Sequence, residues 1–229
     1  MLLVSNGNTH DSNRDRRPGR SLPYAPIVLQ MAQQVRLLRG ACAGRTDEVR
    51  SLLDRGPNPN SELSLDREPI LVCAVHNGHL DTVRLLIKRG ADVNASYDSD
   101  DRAALGEAAS AGLAEIVKVL LENGAHQEKG SRGATGGTPL MDAATWGHVE
   151  VVKVLLALGA NVKARNQFGK TALTYAQSNV ENPHVLEVLL NKAAEERKRY
   201  RDKRPASIEE VKSDLKEVIR VLKEAGAEE

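Results

Sequence analysis

The chain has 229 residues, room for one domain or for one domain with an appendage. Hydrophobic residues make up 41% and the formal net charge is +1, which permits a buried core and excludes a globally basic binder of nucleic acid or membrane surfaces. No apolar run approaches the roughly 18 residues that span a bilayer, and Met1-Leu2-Leu3-Val4 reaches Ser5 and Asn6 too early for a secretory signal, so a soluble chain kept in the cytoplasm is expected.

Residues 1–25 carry Asn, Ser, Gly and four arginines with little apolar content, and read as a flexible basic arm. From there a fixed period governs the chain. Leucines recur at Leu37, Leu71, Leu105, Leu140 and Leu173, and glycines at Gly56, Gly90, Gly124 and Gly159, each step being 33 to 35 residues. The first unit, about 26 to 56, has Leu37, Ala41, Gly44, Val49, Leu52-Leu53 and Gly56 but no Thr-Pro start, and reads as an N-terminal cap. Residues 69 to 94 place Pro69 and Ile70 where Thr and Pro stand in the clearest copy, and residues 103 to 125 place Ala103-Ala104 there, so both helix starts are altered.

The clearest copy begins Gly137-Thr138-Pro139-Leu140. Thr138 can cap a helix N-terminus and Pro139 suits the first helical position, where no amide donor is needed. Gly147-His148 breaks that helix after two turns. Val151, Val152, Val154, Leu155 and Leu156 then form a second helix, apolar around much of its circumference, that must be covered on more than one side. One such pair cannot bury its own surface, whereas stacked copies give each second helix two neighbours. The next copy, 169 to 190, keeps Gly169, Thr171, Leu173 and Ala176 but has Val180-Glu181-Asn182-Pro183-His184 at its junction, which predicts a distorted turn.

Glu217-Val218-Ile219-Arg220-Val221-Leu222-Lys223-Glu224-Ala225-Gly226-Ala227 echoes Glu115 to Ala125, with Lys223 in place of an apolar residue, and Ser207 with Glu210 suggests a capping box. The organisation expected is an arm (1–25), an array of about five repeats (26–194), a charged linker or helix extension (195–204) and degenerate C-terminal capping helices (205–229). Aromatic residues are only 3%, which suits a core of Leu, Val, Ile and Ala between closely stacked helices. Two cysteines, Cys42 and Cys73, are too few for a disulfide scaffold and fit a reducing compartment.

The unit Gly136 to Val162 resembles the ankyrin-repeat family, whose pattern G-x-T-P-L-x-x-A-A-x-x-G-H-x-E-V-V-x-x-L-L-x-x-G-A-x-V-N it follows closely. The resemblance implies an all-α solenoid of helix-turn-helix units joined by hairpin-like loops, and a non-catalytic scaffold or adaptor that binds a protein partner on its concave face. Carried over by phase, that face comprises Asp66, Glu68, His76, Asn77, Asp100, Arg102, Ser110, Thr145, Trp146, Phe168, Lys170 and Asn179. The chain's single Trp and single Phe both fall in this set, and aromatic anchors dominate many interfaces.

Other chemistries are weaker. Cys73, His76 and His79 have ligand-capable spacing, but phase sends them to a buried position, the concave edge and the far side of a turn. His79 and His148 read as turn residues whose rings bond backbone. Asp98, Asp100 and Asp101 lack the spacing of a calcium loop, so no metal is expected. Gly130, Gly133, Gly136 and Gly137 precede no Lys-Ser/Thr pair, and no nucleophile set or dinucleotide fingerprint is present; neither catalysis nor a cofactor is expected. Arg197 to Arg204 holds six basic residues in eight, the basis of an alternative reading as a polyanion or nucleic-acid binder or a nuclear import signal. The expected partner is nevertheless a protein, met by a monomer away from membranes.

Overall fold

The computed structural model describes residues 25–60, 68–97, 102–127, 137–200, 205 and 207–228. The arm up to residue 24, Asp66, Asp100, Gly130 to Gly136 and the end of the basic run at 201–204 lie outside the described residues. Among those described, helices follow one another as α1 (Ala25–Cys42), α2 (Thr46–Leu53), α3 (Ile70–His76), α4 (Leu80–Lys88), α5 (Ala104–Ser110), α6 (Ala114–Glu122), α7 (Pro139–Trp146), α8 (Val149–Ala157), α9 (Ala172–Val180), α10 (Pro183–Tyr200) and α11 (Ile208–Glu224). One short antiparallel pair, β1 (Ser96–Tyr97) and β2 (Arg102–Ala103), closes the loop before α5, with Ser96 opposite Ala103. No described helix is long and apolar enough to cross a membrane.

The helices form two layers. The inner layer stacks α1, α3, α5, α7 and α9 side by side, and each inner helix also packs against an outer partner. The periodic leucines carry the core: Leu37, Leu71, Leu105, Leu140 and Leu173 are all at most 2% exposed, and each such burial is worth about 1.5–3 kcal/mol. Starts differ as the sequence predicts. Thr138 accepts the Met141 amide and Thr171 forms a reciprocal cap with Thr174, while Pro69 and Ala103 begin α3 and α5 with no side-chain cap. Polar bonds tie units together at both ends. Asn60 and Asn94 each donate to the Gly carbonyl that ends the next outer helix, Gly90 and Gly124, and accept an amide from the loop beyond it. His79 and His148 meet, through Nε2, the carbonyls of Cys42 and Ser110 in the preceding unit at 3.1 Å.

The fifth unit departs from the sequence expectation. The second half of the 169–190 copy, expected to be its outer helix, lies in α10, whose main packing is on α11 rather than α8. The helix that packs against both α8 and α9 is α11. Its C-terminus repeats the outer-helix ending: the Ala227 amide bonds to Leu222 O, as Ala91 does to Leu86, Ala125 to Leu120 and Ala160 to Leu155. Leu222 is fully buried, like its counterparts Leu86, Leu120 and Leu155. Thus α11 completes the fifth unit, and α10 with its connections is inserted between the two helices of that unit. In sequence Leu186, Leu189 and Leu190 imitate the outer-helix pattern; Leu186 and Leu189 are buried, but in a cluster with Val211 and Leu215 of α11.

A second correction concerns the cysteines. Cys42 and Cys73 form a disulfide between the end of α1 and the middle of α3, with Cα atoms 5.1 Å apart. Neighbouring inner helices bring the pair together across 31 residues of chain, so cysteine usage no longer supports a reducing compartment.

Candidate functional site

Of the twelve residues expected to form one concave surface, Asp66 and Asp100 lie outside the described residues and the other ten fall into two groups. His76, Asn77, Ser110, Thr145, Trp146 and Asn179 stand at or beside the C-terminal ends of α3, α5, α7 and α9. Phe168 and Lys170 sit on the loop before α9, Glu68 at the approach to α3, and Arg102 in β2 paired with Tyr97, its side chain outside the described residues.

Part of the first group is met by the chain itself: Trp146, Ser110 and His76 contact α10, with His76 still exposed at its side chain. Helix α10 runs back from the fifth unit across the inner-helix ends. The Lys192 ammonium lies 3.2 Å from the centroid of the Trp146 ring and donates to Ser110 O at 3.0 Å. A cation on an aromatic face at this range is attracted by the ring quadrupole. Two turns later the Tyr200 hydroxyl donates to His76 O at 2.8 Å, and the Arg199 guanidinium donates to His76 Nε2 at 2.9 Å. That bond requires the Nε2 lone pair, which leaves the ring proton on Nδ1, 3.8 Å from Glu107. Glu196, only 8% exposed, is held 3.6 Å from Lys192. A cleft of about 230 Å³ remains between α10 and the helix ends, lined among others by His76, Glu107, Lys192 and Arg199.

This placement separates the two aromatics. Trp146 is half-buried beneath Lys192 and against the cluster that Leu186 and Leu189 of α10 form with Val211 and Leu215 of α11, so it is not a free anchor. Asn179 donates to Thr145 O at 3.0 Å and Thr145 donates to Met141 O, so both serve the stack. Phe168 is 65% exposed. Its loop is fixed by Asn166, a buried side chain whose Oδ1 accepts the amides of Phe168 and Lys170. Lys170 extends over the Tyr175 ring at 5.5 Å.

Cys73, His76 and His79 go to three different partners: the disulfide, the Arg199 and Tyr200 contacts, and Cys42 O. Two members of the basic run, Arg199 and Tyr200, are turned onto His76. The sequence reading missed the role of Lys192; a Lys and a Glu one turn apart are an ordinary helix-surface pair, and only the insertion of α10 gives Lys192 its partners at the ends of α5 and α7.

No curated protein matches the chain. A family model described as ankyrin repeats in three copies matches residues 37–131 and again 126–202, well over half of the sequence. Together with the two-layer stack of helical hairpins, this establishes that the chain belongs to the ankyrin-repeat family.

Proposed function

We propose that the protein is a non-catalytic interaction module whose open recognition surface is the loop side of the array, centred on Phe168. Ankyrin repeats generally serve protein–protein interaction, and the observation that carries the reading here is an exposed aromatic on a loop already fixed by a buried Asn166. A preorganised anchor loses little conformational entropy on binding, which is how a rigid repeat array gains affinity. Lys170 beside it supplies a cation for an acidic rim on the partner.

The test is Phe168→Ala with Lys170→Ala in the full chain. Both side chains are exposed, so the melting midpoint stays within about 2 °C of wild type, the range of a surface change of roughly 0.5 kcal/mol. Partners captured by wild type and identified by mass spectrometry should be lost from the variant. Retention of the same partners at the same yield would refute the loop reading.

A further inference from the structure

We infer that the row of inner-helix ends beneath α10 is itself a docking surface for a helical protein segment, one bearing a lysine and, two turns on, an arginine–tyrosine pair. In this inference α10 is the chain's own competitor for that surface. It rests on reading the chain as a protein-interaction module and adds a second face with a defined partner chemistry.

Three observations carry it. First, α9 and α11 make a complete hairpin on α8, so no repeat depends on α10 for its own helices. Second, α10 has two unlike halves. Leu186 and Leu189 are buried against Val211 and Leu215, which anchors the first half, whereas the second half holds the array through Lys192, Arg199 and Tyr200. Polar contacts of this kind can be exchanged for equivalent ones from another chain. Third, the spacing is in register. Eight residues of helix from Lys192 to Tyr200 rise about 12 Å, close to the roughly 8–10 Å between packed helices, so these groups reach Ser110 O and His76 O on successive inner helices. The acceptors are backbone carbonyls at helix ends, which any helix with donors at the same interval can satisfy.

A tethered helix competes at high effective concentration. If the closed form exceeds the open form by about 100 to 1, the apparent affinity for an external helix falls about 100-fold, and weakening the latch restores it.

The experiment uses the full chain and a fluorescent, covalently stapled peptide spanning residues 187–200. Anisotropy titrations compare wild type, the released variant Lys192→Glu/Tyr200→Ala, and that variant with Trp146→Ala added. The inference predicts that the released variant binds the peptide at least tenfold more tightly than wild type, and that Trp146→Ala removes the gain. Equal binding by wild type and released variant, or binding by neither, overturns it. Hydrogen exchange on the released variant provides the control. Protection at 139–180 and 208–224 must persist; if it collapses, α10 is a brace of the stack and the inference falls. The two proposals fail separately: tight peptide binding together with partner capture unaffected by the Phe168 variant would sink only the loop reading.

Discussion

Substituting Gly78 by alanine probes the closure of α10 over the array, with Gly147 as a matched control. Both glycines follow an inner helix in the left-handed region, with φ of 72° and 74°. An alanine at either therefore carries the same backbone cost, about 1–2 kcal/mol. What the new Cβ meets is different. At Gly147 the nearest atoms belong to Leu215 at 3.6 Å, ordinary contact. At Gly78 it lies 2.7 Å and 2.8 Å from Cδ1 and Cε1 of Tyr200, so the ring must move. Displacing it breaks the bond from the Tyr200 hydroxyl to His76 O, worth about 0.5–1.5 kcal/mol, and uncovers part of a half-buried ring. The closed form of α10 should thus lose about 1–2 kcal/mol specifically in Gly78→Ala, an increase of roughly five- to thirtyfold in opening. Hydrogen–deuterium exchange of the segment 192–200 measures this directly. Gly78→Ala should accelerate exchange there by that factor, and Gly147→Ala should not. Equal exchange of 192–200 in the two variants would refute the contact.

Further outcomes follow from the same packing. Leu222→Ala, in the fully buried outer-helix position of the fifth unit, should cost about 2–5 kcal/mol in urea unfolding, whereas Val188→Ala on α10, 45% exposed, should cost no more than about 0.5 kcal/mol. Removing the Cys42–Cys73 disulfide by Cys→Ser at both positions releases a loop of 31 residues' separation. The chain-entropy relation sets this loss at no more than about 4 kcal/mol, and it should appear as earlier exchange of α1 to α3 with α7 to α9 unchanged. Asp214 rests over the turn at Gly147, where burial foremost, and Glu210 second, raise its carboxyl above the ordinary value. Its folded form binds the proton more tightly than the unfolded chain, so it lowers stability at neutral pH, and that cost disappears as pH falls through the raised value and below the ordinary one. Asp214→Asn should therefore raise the melting midpoint at pH 7 and leave it nearly unchanged near pH 3.

The stack was legible because repetition makes one residue type recur at one structural position. Leu37, Leu71, Leu105, Leu140 and Leu173 read as core in the sequence and are core in the structure. Thr138 and Thr171 read as helix starts and cap α7 and α9. The expected outer helix of the 169–190 copy was misplaced because an apolar helix face does not say which neighbour will cover it. The discriminating signal was the ending: Ala225-Gly226-Ala227 preserves the outer-helix terminus, and Lys192-Ala193-Ala194 does not. The covering of Trp146 by Lys192, 46 positions away, follows from that insertion, and phase within a repeat carries no information about it. The disulfide was within reach, since phase places Cys42 opposite His76 and so one turn from Cys73 on the adjacent inner helix.

The central claim is that α11 completes the fifth unit while α10 lies across the inner-helix ends. Nuclear Overhauser spectroscopy of the full chain tests it most directly. The account predicts cross-peaks between the Tyr200 ring and the Gly78 α-protons, and Lys192 methylene resonances shifted upfield by the Trp146 ring. Tyr200 and Lys192 at solvent-like shifts, with no cross-peak to Gly78 or Trp146, would contradict it.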